Sequence, residues 1–271
     1  MKSGRSGAAA ALVGALALAA VTAPAAHAVD AHTGITVSKV VINKGKPVVV
    51  GTTNEQAVPM SFRYSLPAGW STAHPGLYEA TPYLYNGTSA AEGAKYNGPY
   101  PTDGLCHAVS DRIGECTAAM RFSPDQMRSN SDATTWKIGA VTRLYVPNRP
   151  MKAEEFKAVS GGVQLRRWAK ATVNAAPEPV KKGKTITVTG TLARADWVKH
   201  KYTGVADASV QLQFRKKGAS AYSTVKTVKS SSKGSLRTTV TASADGYWRW
   251  NFGGWHTTGA AISPVDYVDV N

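Results

Sequence analysis

The chain has 271 residues, with 32 Lys and Arg against 17 Asp and Glu, and a formal net charge of +15. That length suffices for two ordinary cores. The basic balance favours anionic polymers or lipid headgroups as partners, or serves solubility alone, and outside a cell it makes nucleic acid an unexpected partner.

The first element is a leader. Lys2 and Arg5 form a charged start, residues 8–21 are apolar, and Ala26-His27-Ala28 puts small residues around a cut before Val29. This is the pattern of a secretory signal peptide. The apolar run is short of the ~20 residues of a membrane span, and Pro24 interrupts it. No cysteine follows for lipid attachment, and the C-terminus from Tyr267 to Asn271 alternates without an apolar tail. The expectation is a secreted, extracellular chain with no membrane span after cleavage. Its residues 29–170 carry 16 basic and 11 acidic groups, and residues 171–271 carry 14 and 6.

In the N-terminal part, β-branched and alternating runs predict strands over 35–42, 48–53, 59–65, 117–122 and 135–146. Residues 66–105 are rich in Gly, Pro, Asn and Tyr with weak periodicity, and read as an insertion holding extra strands or a specialised surface. Ser123-Pro124 predicts a capped helical turn that crosses between sheets. Residues 150–159 read as a short helix ended by Gly161-Gly162. Cys106 and Cys116, close in an exported chain, are most simply a disulfide. Alternation continues through Lys170, so the last strand of a first domain (29–170) is expected to run straight into a second (171–271).

The second part alternates more cleanly. Val210, Leu212 and Phe214 share one face, and Ser209, Gln211, Gln213 and Arg215 the other. Turns follow at 216–220 and 230–234, and Trp248, Trp250 and Phe252 share a face that reads as core. Tyr247, two residues after Asp245, suggests a tyrosine corner. The Lys44-Gly45-Lys46 turn, with Thr36-Val37-Ser38 before it and Val48 to Thr52 after, repeats as Lys182-Gly183-Lys184 with Thr172-Val173-Asn174 and Ile186 to Gly190. Such self-similarity predicts one supersecondary unit built twice. The fold expected is all-β: two tandem immunoglobulin-like β-sandwich domains after a signal peptide.

The segments Val173-Asn174, Pro177-Glu178-Pro179-Val180 through Lys184, Val210 to Gly218, and Asp245-Gly246-Tyr247-Trp248-Arg249-Trp250 resemble the Ig-like β-sandwich modules of secreted actinomycete proteins. The likeness covers about the last hundred residues; the first domain shares it only at 48–53 and around Trp136. It implies a non-catalytic module and brings no functional residues, since a fold alone supplies none.

Catalytic and metal-binding motifs are absent from the sequence, and no cofactor is expected. Two surfaces stand out. One is aromatic: Trp70, Tyr78, Tyr83, Tyr85, Tyr96 and Tyr100 in the 66–105 segment, and Trp255 in a loop after Gly253-Gly254. Such rings stack on sugars or anchor protein partners, and as often pack a second layer over a core. The other is basic: Arg215, Lys216 and Lys217 at one turn, with Lys229 and Lys233 near the next. Together they suggest a non-catalytic protein contacting an anionic or carbohydrate wall component. An assembly subunit for another secreted protein is the alternative. A hydrolase using Glu79, Glu92 and Asp103 is a third reading, in which two of those acids would have to face each other across a cleft.

Overall fold

A computed structural model describes residues 31–95, 98–147 and 151–271; the expected signal peptide, Tyr96 and the side chain of Asp103 lie outside the described residues. The strands in chain order are β1 (Thr36–Ile42), β2 (Val48–Val50), β3 (Gln56–Ser65) and β4 (Tyr78–Tyr85), then helix α1 (Ala90–Ala94). They continue with β5 (Tyr100–Ser110), β6 (Ile113–Phe122), β7 (Thr135–Tyr145), β8 (Met151–Arg167) and β9 (Ala169–Ala176). The remainder are β10 (Thr185–Asp196), β11 (Lys201–Gly204), β12 (Ser209–Lys216), β13 (Ser223–Lys229), β14 (Ser235–Thr241), β15 (Gly246–Phe252), β16 (Ala261–Ile262) and β17 (Asp266–Val268).

These strands form two tandem immunoglobulin-like β-sandwiches. In the first, the sheet β1-β3-β6-β5 stacks on the sheet β2-β8-β7-β4. In the second, β10 pairs with β9, β11 and β14, and faces a sheet in which β13-β12-β15 continues to β16 and β17. Alternation drives the burial: along β15, Trp248, Trp250 and Phe252 are enclosed, and along β12 so are Val210 and Leu212. The Ser123 turn forms as expected. Its side chain accepts from the Asp125 N–H, Gln126 returns the bond, and the chain passes from the sheet of β6 to that of β7.

Three expectations change. Residues 151–159 belong to strand β8, not to a helix. Their Ala, Glu and Lys content favours helix locally, but β7 offers a ladder over the whole length, and pairing overrides propensity. Gly161 and Gly162, expected to end that helix, instead sit where β8 slips register against β7, with Gly161 at a φ of +107°. Glu154 therefore lies on a strand. Its carboxylate accepts from Arg143 Nε at 2.7 Å, while Glu79 on the other neighbouring strand accepts from the same guanidinium at 2.8 Å. Burial works against the charged Arg143, but these two carboxylates hold its pKa above the usual arginine value.

The 66–105 segment does hold extra strands, but as part of the sandwich and not as an insertion. It supplies β4, a full member of the second sheet paired with β7 from Tyr78↔Leu144 to Tyr85↔Lys137, and the start of β5. The sequence repeat also marks a turn and not a repeated unit. Gly45 and Gly183 both take positive φ, +75° and +83°, which explains the shared Lys-Gly-Lys. The strands after them differ: β2 pairs in parallel with β8, whereas β10 pairs antiparallel with β9 and β14. In the second sandwich the parallel bridge, Val180↔Val270, comes before the turn.

The two sandwiches are joined by more than a linker. One residue, Trp168, separates β8 from β9; its N–H donates to Val50 O at 2.8 Å and its carbonyl accepts from Ala195 N at 2.7 Å. Beyond β10, Trp197 leaves the second sandwich and lies fully enclosed in the first core, its indole N–H bonded to Val50 O at 3.3 Å. Asn130 accepts from the Trp197 N–H and donates to Asp196. Replacing a large enclosed aromatic by alanine costs about 3–5 kcal/mol. Trp197→Ala is therefore expected to lower the denaturant-unfolding free energy by about that much and to split one transition into two. A single transition at the wild-type midpoint would show that Trp197 does not couple the sandwiches.

Candidate functional site

The sequence-selected aromatics divide by burial. Tyr83 and Tyr85 are enclosed, their rings 6.2 Å apart, and the Tyr83 hydroxyl donates to Ala90 O at 2.7 Å, fastening α1 onto the sheet. Burial, with Tyr85 beside it, pushes the Tyr83 phenol up to about 12. Tyr78 is half-buried, and its hydroxyl shares a 2.7 Å hydrogen bond with that of Tyr64. Trp70 packs on the first core with Lys152 5.7 Å above its ring. These four are packing residues. Tyr100 is 52% exposed but stands alone on an edge strand. Trp255 is 39% exposed, edge-on to Phe252, with Arg194 6.0 Å from its ring; it belongs to the junction loop, where Gln164 donates to His256 O.

The basic residues do not form one patch. Arg215, Lys216 and Lys217 lie at one end of β12, beside Ser223 of β13, whereas Lys229 pairs with Ser209 at the other end. At ~3.4 Å per residue the two groups are roughly 20 Å apart. Lys229 bonds to Asp207 O, and Lys233 occupies the following turn.

What the structure does assemble is the outward face of the sheet β13-β12-β15-β17. Register places Arg215 beside Tyr247, and Tyr247 beside Tyr267, on three adjacent strands. Next come Gln213 beside Arg249, then Gln211 beside Asn251. Tyr222, just before β13, folds its ring over this surface. The guanidinium of Arg249 sits 3.6 Å from the Tyr222 ring centre and that of Arg215 5.2 Å from it, with Arg215 also 4.2 Å from Tyr247. Tyr247 and Tyr267 pack at 5.1 Å, and Lys217 lies 5.6 Å from Tyr267. Arg249 Nε donates to Gln213 at 2.8 Å, Arg215 donates to Ala219 O at 2.8 Å, and Asn251 reaches Gln211. Neither guanidinium has a carboxylate partner among the described residues.

Of these residues only Arg215 and Lys217 belong to the sequence-selected set. The signal for the rest was the alternation itself: if Trp248, Trp250 and Phe252 face the core, Tyr247, Arg249 and Asn251 face out. Tyr222 and Tyr267 carried no such signal, because a loop ring and a three-residue strand have no periodicity. No tyrosine corner forms at Tyr247. The Asp245 carboxylate instead accepts from the Val270 N–H at 2.9 Å and from the Tyr267 hydroxyl at 3.3 Å, and pairs with Lys217 at 3.4 Å.

Two of the three acids considered for hydrolysis are otherwise engaged, and the Asp103 side chain lies outside the described residues. Glu79 accepts from Arg143, Thr81 and Tyr145, and Glu92 pairs with Lys95 in α1. Cys106 and Cys116 form the disulfide, directly across β5 and β6. Among the described residues no group of His, Cys, Asp or Glu side chains could hold a metal ion, and no helix is long and apolar enough to cross a membrane.

No protein-family profile and no curated protein matches this sequence. Solved structures align only loosely. The mouse nectin-like molecule 4 ectodomain (Ig1–Ig3) matches at 10% identity and a TM-score of 0.26, over 86% of this chain and 64% of that one, so this chain spans less than two thirds of its length. The fibronectin(III)-like modules of Clostridium thermocellum CbhA match at 9% identity and 0.29, over 85% and 92% of the two chains. The D00–D0 domain of Intimin matches at 12% and 0.26, over 86% and 99%. Likeness at this level assigns no function to this chain.

The Val270 N–H, chiefly, holds the Asp245 carboxyl below the usual aspartate range; burial opposes it, and Lys217 and Tyr267 add to it. A depressed folded pKa gives stability that is present above the unfolded value, ~3.9, and lost as pH falls through the folded one. The last strand should therefore loosen on acidification below about pH 4. Unfolding midpoints measured from pH 7 to 3 are expected to fall more steeply for wild type than for Asp245→Asn; parallel slopes would remove Asp245 as the acid-sensitive clamp.

Proposed function

We propose that this is an exported, non-catalytic binding protein of the cell envelope that holds an anionic or carbohydrate polymer against the outward face of its second sandwich. The observation that carries the reading is the sharing of Tyr222 by two guanidiniums that have no carboxylate partner among the described residues. An outward sheet face needs only to be soluble. Here it displays rings beside cations and side-chain amides, a set suited to stacking on sugar rings and bonding their substituents. The leader and the disulfide support export, since disulfides persist in oxidising compartments.

A second reading, an assembly subunit, rests on edge strand β5, where Leu105 and Val109 are 78% and 50% exposed beside backbone that pairs only with β6. The two readings place the contact on different sandwiches, so variants separate them.

Purified residues 29–271 would be cosedimented with cell walls and insoluble glycans at rising salt. Tyr222→Ala with Arg249→Ala is expected to weaken retention about tenfold or more, as for removal of two central contacts. Lys229→Gln with Lys233→Gln should leave it within about twofold, since rim charges contribute little. Unchanged retention in the first variant and loss in the second would move the site to the other end of the sheet and overturn the assignment.

A further inference from the structure

Resting on that reading, we infer that the face selects acidic glycans, chains whose sugars carry a carboxylate or phosphodiester, through Arg215 and Arg249 acting as a pair. In the first sandwich, three arginines on outward sheet faces are met by carboxylates: Arg63 by Glu115, Arg121 by Glu55, and Arg143 by Glu79 and Glu154. Arg215 and Arg249 occupy comparable cross-strand positions and are met by Tyr247, Tyr222 and Gln213. A tyrosine face holds a guanidinium in place without neutralising it. Each arginine spends one donor nitrogen on a hydrogen bond, to Ala219 O or to Gln213, and the planar fork has more to offer. Those remaining donors suit the paired oxygens of a carboxylate or phosphate.

The surroundings agree. Asp245, the acid at the end of this row, has its carboxylate taken up by the Val270 N–H, the Tyr267 hydroxyl and Lys217, so it does not repel an incoming anion. Gln211 and Asn251 form the outer row and offer neutral donors and acceptors, while Gln213 is enclosed and holds Arg249 in place. Rings, amides and uncompensated guanidiniums on one face call for a ligand with an apolar ring face, hydroxyls and a negative group. An acidic sugar has all three. A plain polyanion has only the last, and a neutral glycan lacks it.

The test compares three probes at near-physiological salt: polygalacturonate, the same polymer with its carboxyls reduced to alcohols, and polyglutamate. Wild type is expected to bind polygalacturonate about tenfold or more tightly than either control, the difference made by one charge-assisted bidentate contact. Arg215→Gln with Arg249→Gln should abolish the preference, so that the acidic and the reduced polymer bind alike. Arg215→Lys with Arg249→Lys keeps the charge without the planar fork and should also lose the preference; unfolding midpoints confirm that both variants fold. A glycerol-phosphate polymer bearing sugars, run alongside, tells which anion is preferred, and tighter binding of either acid over the neutral polymer supports the inference. Equal binding of acidic and reduced polygalacturonate would overturn acid selection while leaving glycan binding in place. Equal binding of polyglutamate would reduce the site to bulk charge and overturn it. Failure of all glycans, cell walls included, would remove the glycan reading itself.

Discussion

The architecture depends on one covalent and packing constraint: a strand that leaves the first sandwich as β8 and enters the second as β9 with only Trp168 between them. A single extended residue cannot act as a tether. Its N–H and carbonyl are both used, by Val50 of the first sandwich and Ala195 of the second, so the backbone is bonded to each side as it crosses. Trp197 completes the joint by placing a side chain of the second sandwich inside the first core. The Trp168 N–H and the Trp197 indole N–H both donate to the Val50 carbonyl, so one acceptor of the first sandwich holds two donors of the joint. The junction also buries Arg167. Burial, with Arg194 nearby, brings its pKa down to about 10 in spite of Asp196, a cost the surrounding packing must offset.

Fixing the joint has a consequence for charge. The second sandwich has few acids to pair with its cations, 6 against 14 over residues 171–271. Two of those acids are consumed by backbone N–H groups: Asp266 accepts from Ala175, and Asp245 from Val270. Asp196 is committed to the junction through Asn130 and the Lys199 N–H. With three of the six carboxylates committed in this way, the arginines of the outward face meet aromatic rings. The first sandwich, with 11 acids to 16 bases over residues 29–170, has enough to make conventional cross-strand ion pairs.

Much of this was legible in the sequence. Strict alternation at Val210–Leu212–Phe214 and Trp248–Trp250–Phe252 gave the second sandwich and, by its complement, most of the outward face. The Ser123-Pro124 cap was equally readable, because it is a local rule with one outcome. Reading failed where local chemistry and tertiary pairing disagree. Residues 151–159 carry a helix-favouring composition on a strand that β7 dictates. Tyr83 and Tyr85 read as loop rings because Pro82 and the flanking Asn and Gly mask a strand whose partner lies more than fifty residues on. The basic residues read as one patch because sequence proximity ignores strand reversal: the turn at 216–222 sends β13 back along β12, so Lys229 finishes opposite Ser209.

The same ring–cation row bears on whether the face is a stabilising device. An exposed cation–π contact contributes about 0.5–1 kcal/mol, little more than a surface ion pair. If stability alone were at stake, lysine or threonine at Arg215 and Arg249 would serve nearly as well. The larger effect is on freedom. A guanidinium resting on a ring, with one nitrogen bonded to Gln213 or Ala219 O, has given up most of its rotamers before any ligand arrives. Ordering such a side chain on binding otherwise costs about 0.5–1.5 kcal/mol. Two arginines held in this way, beside rings fixed by Tyr247–Tyr267 packing, form a surface whose ordering is complete in the free protein. That is the physical difference between this face and Lys233 of the β13–β14 turn, a compact charge on a flexible four-carbon stem.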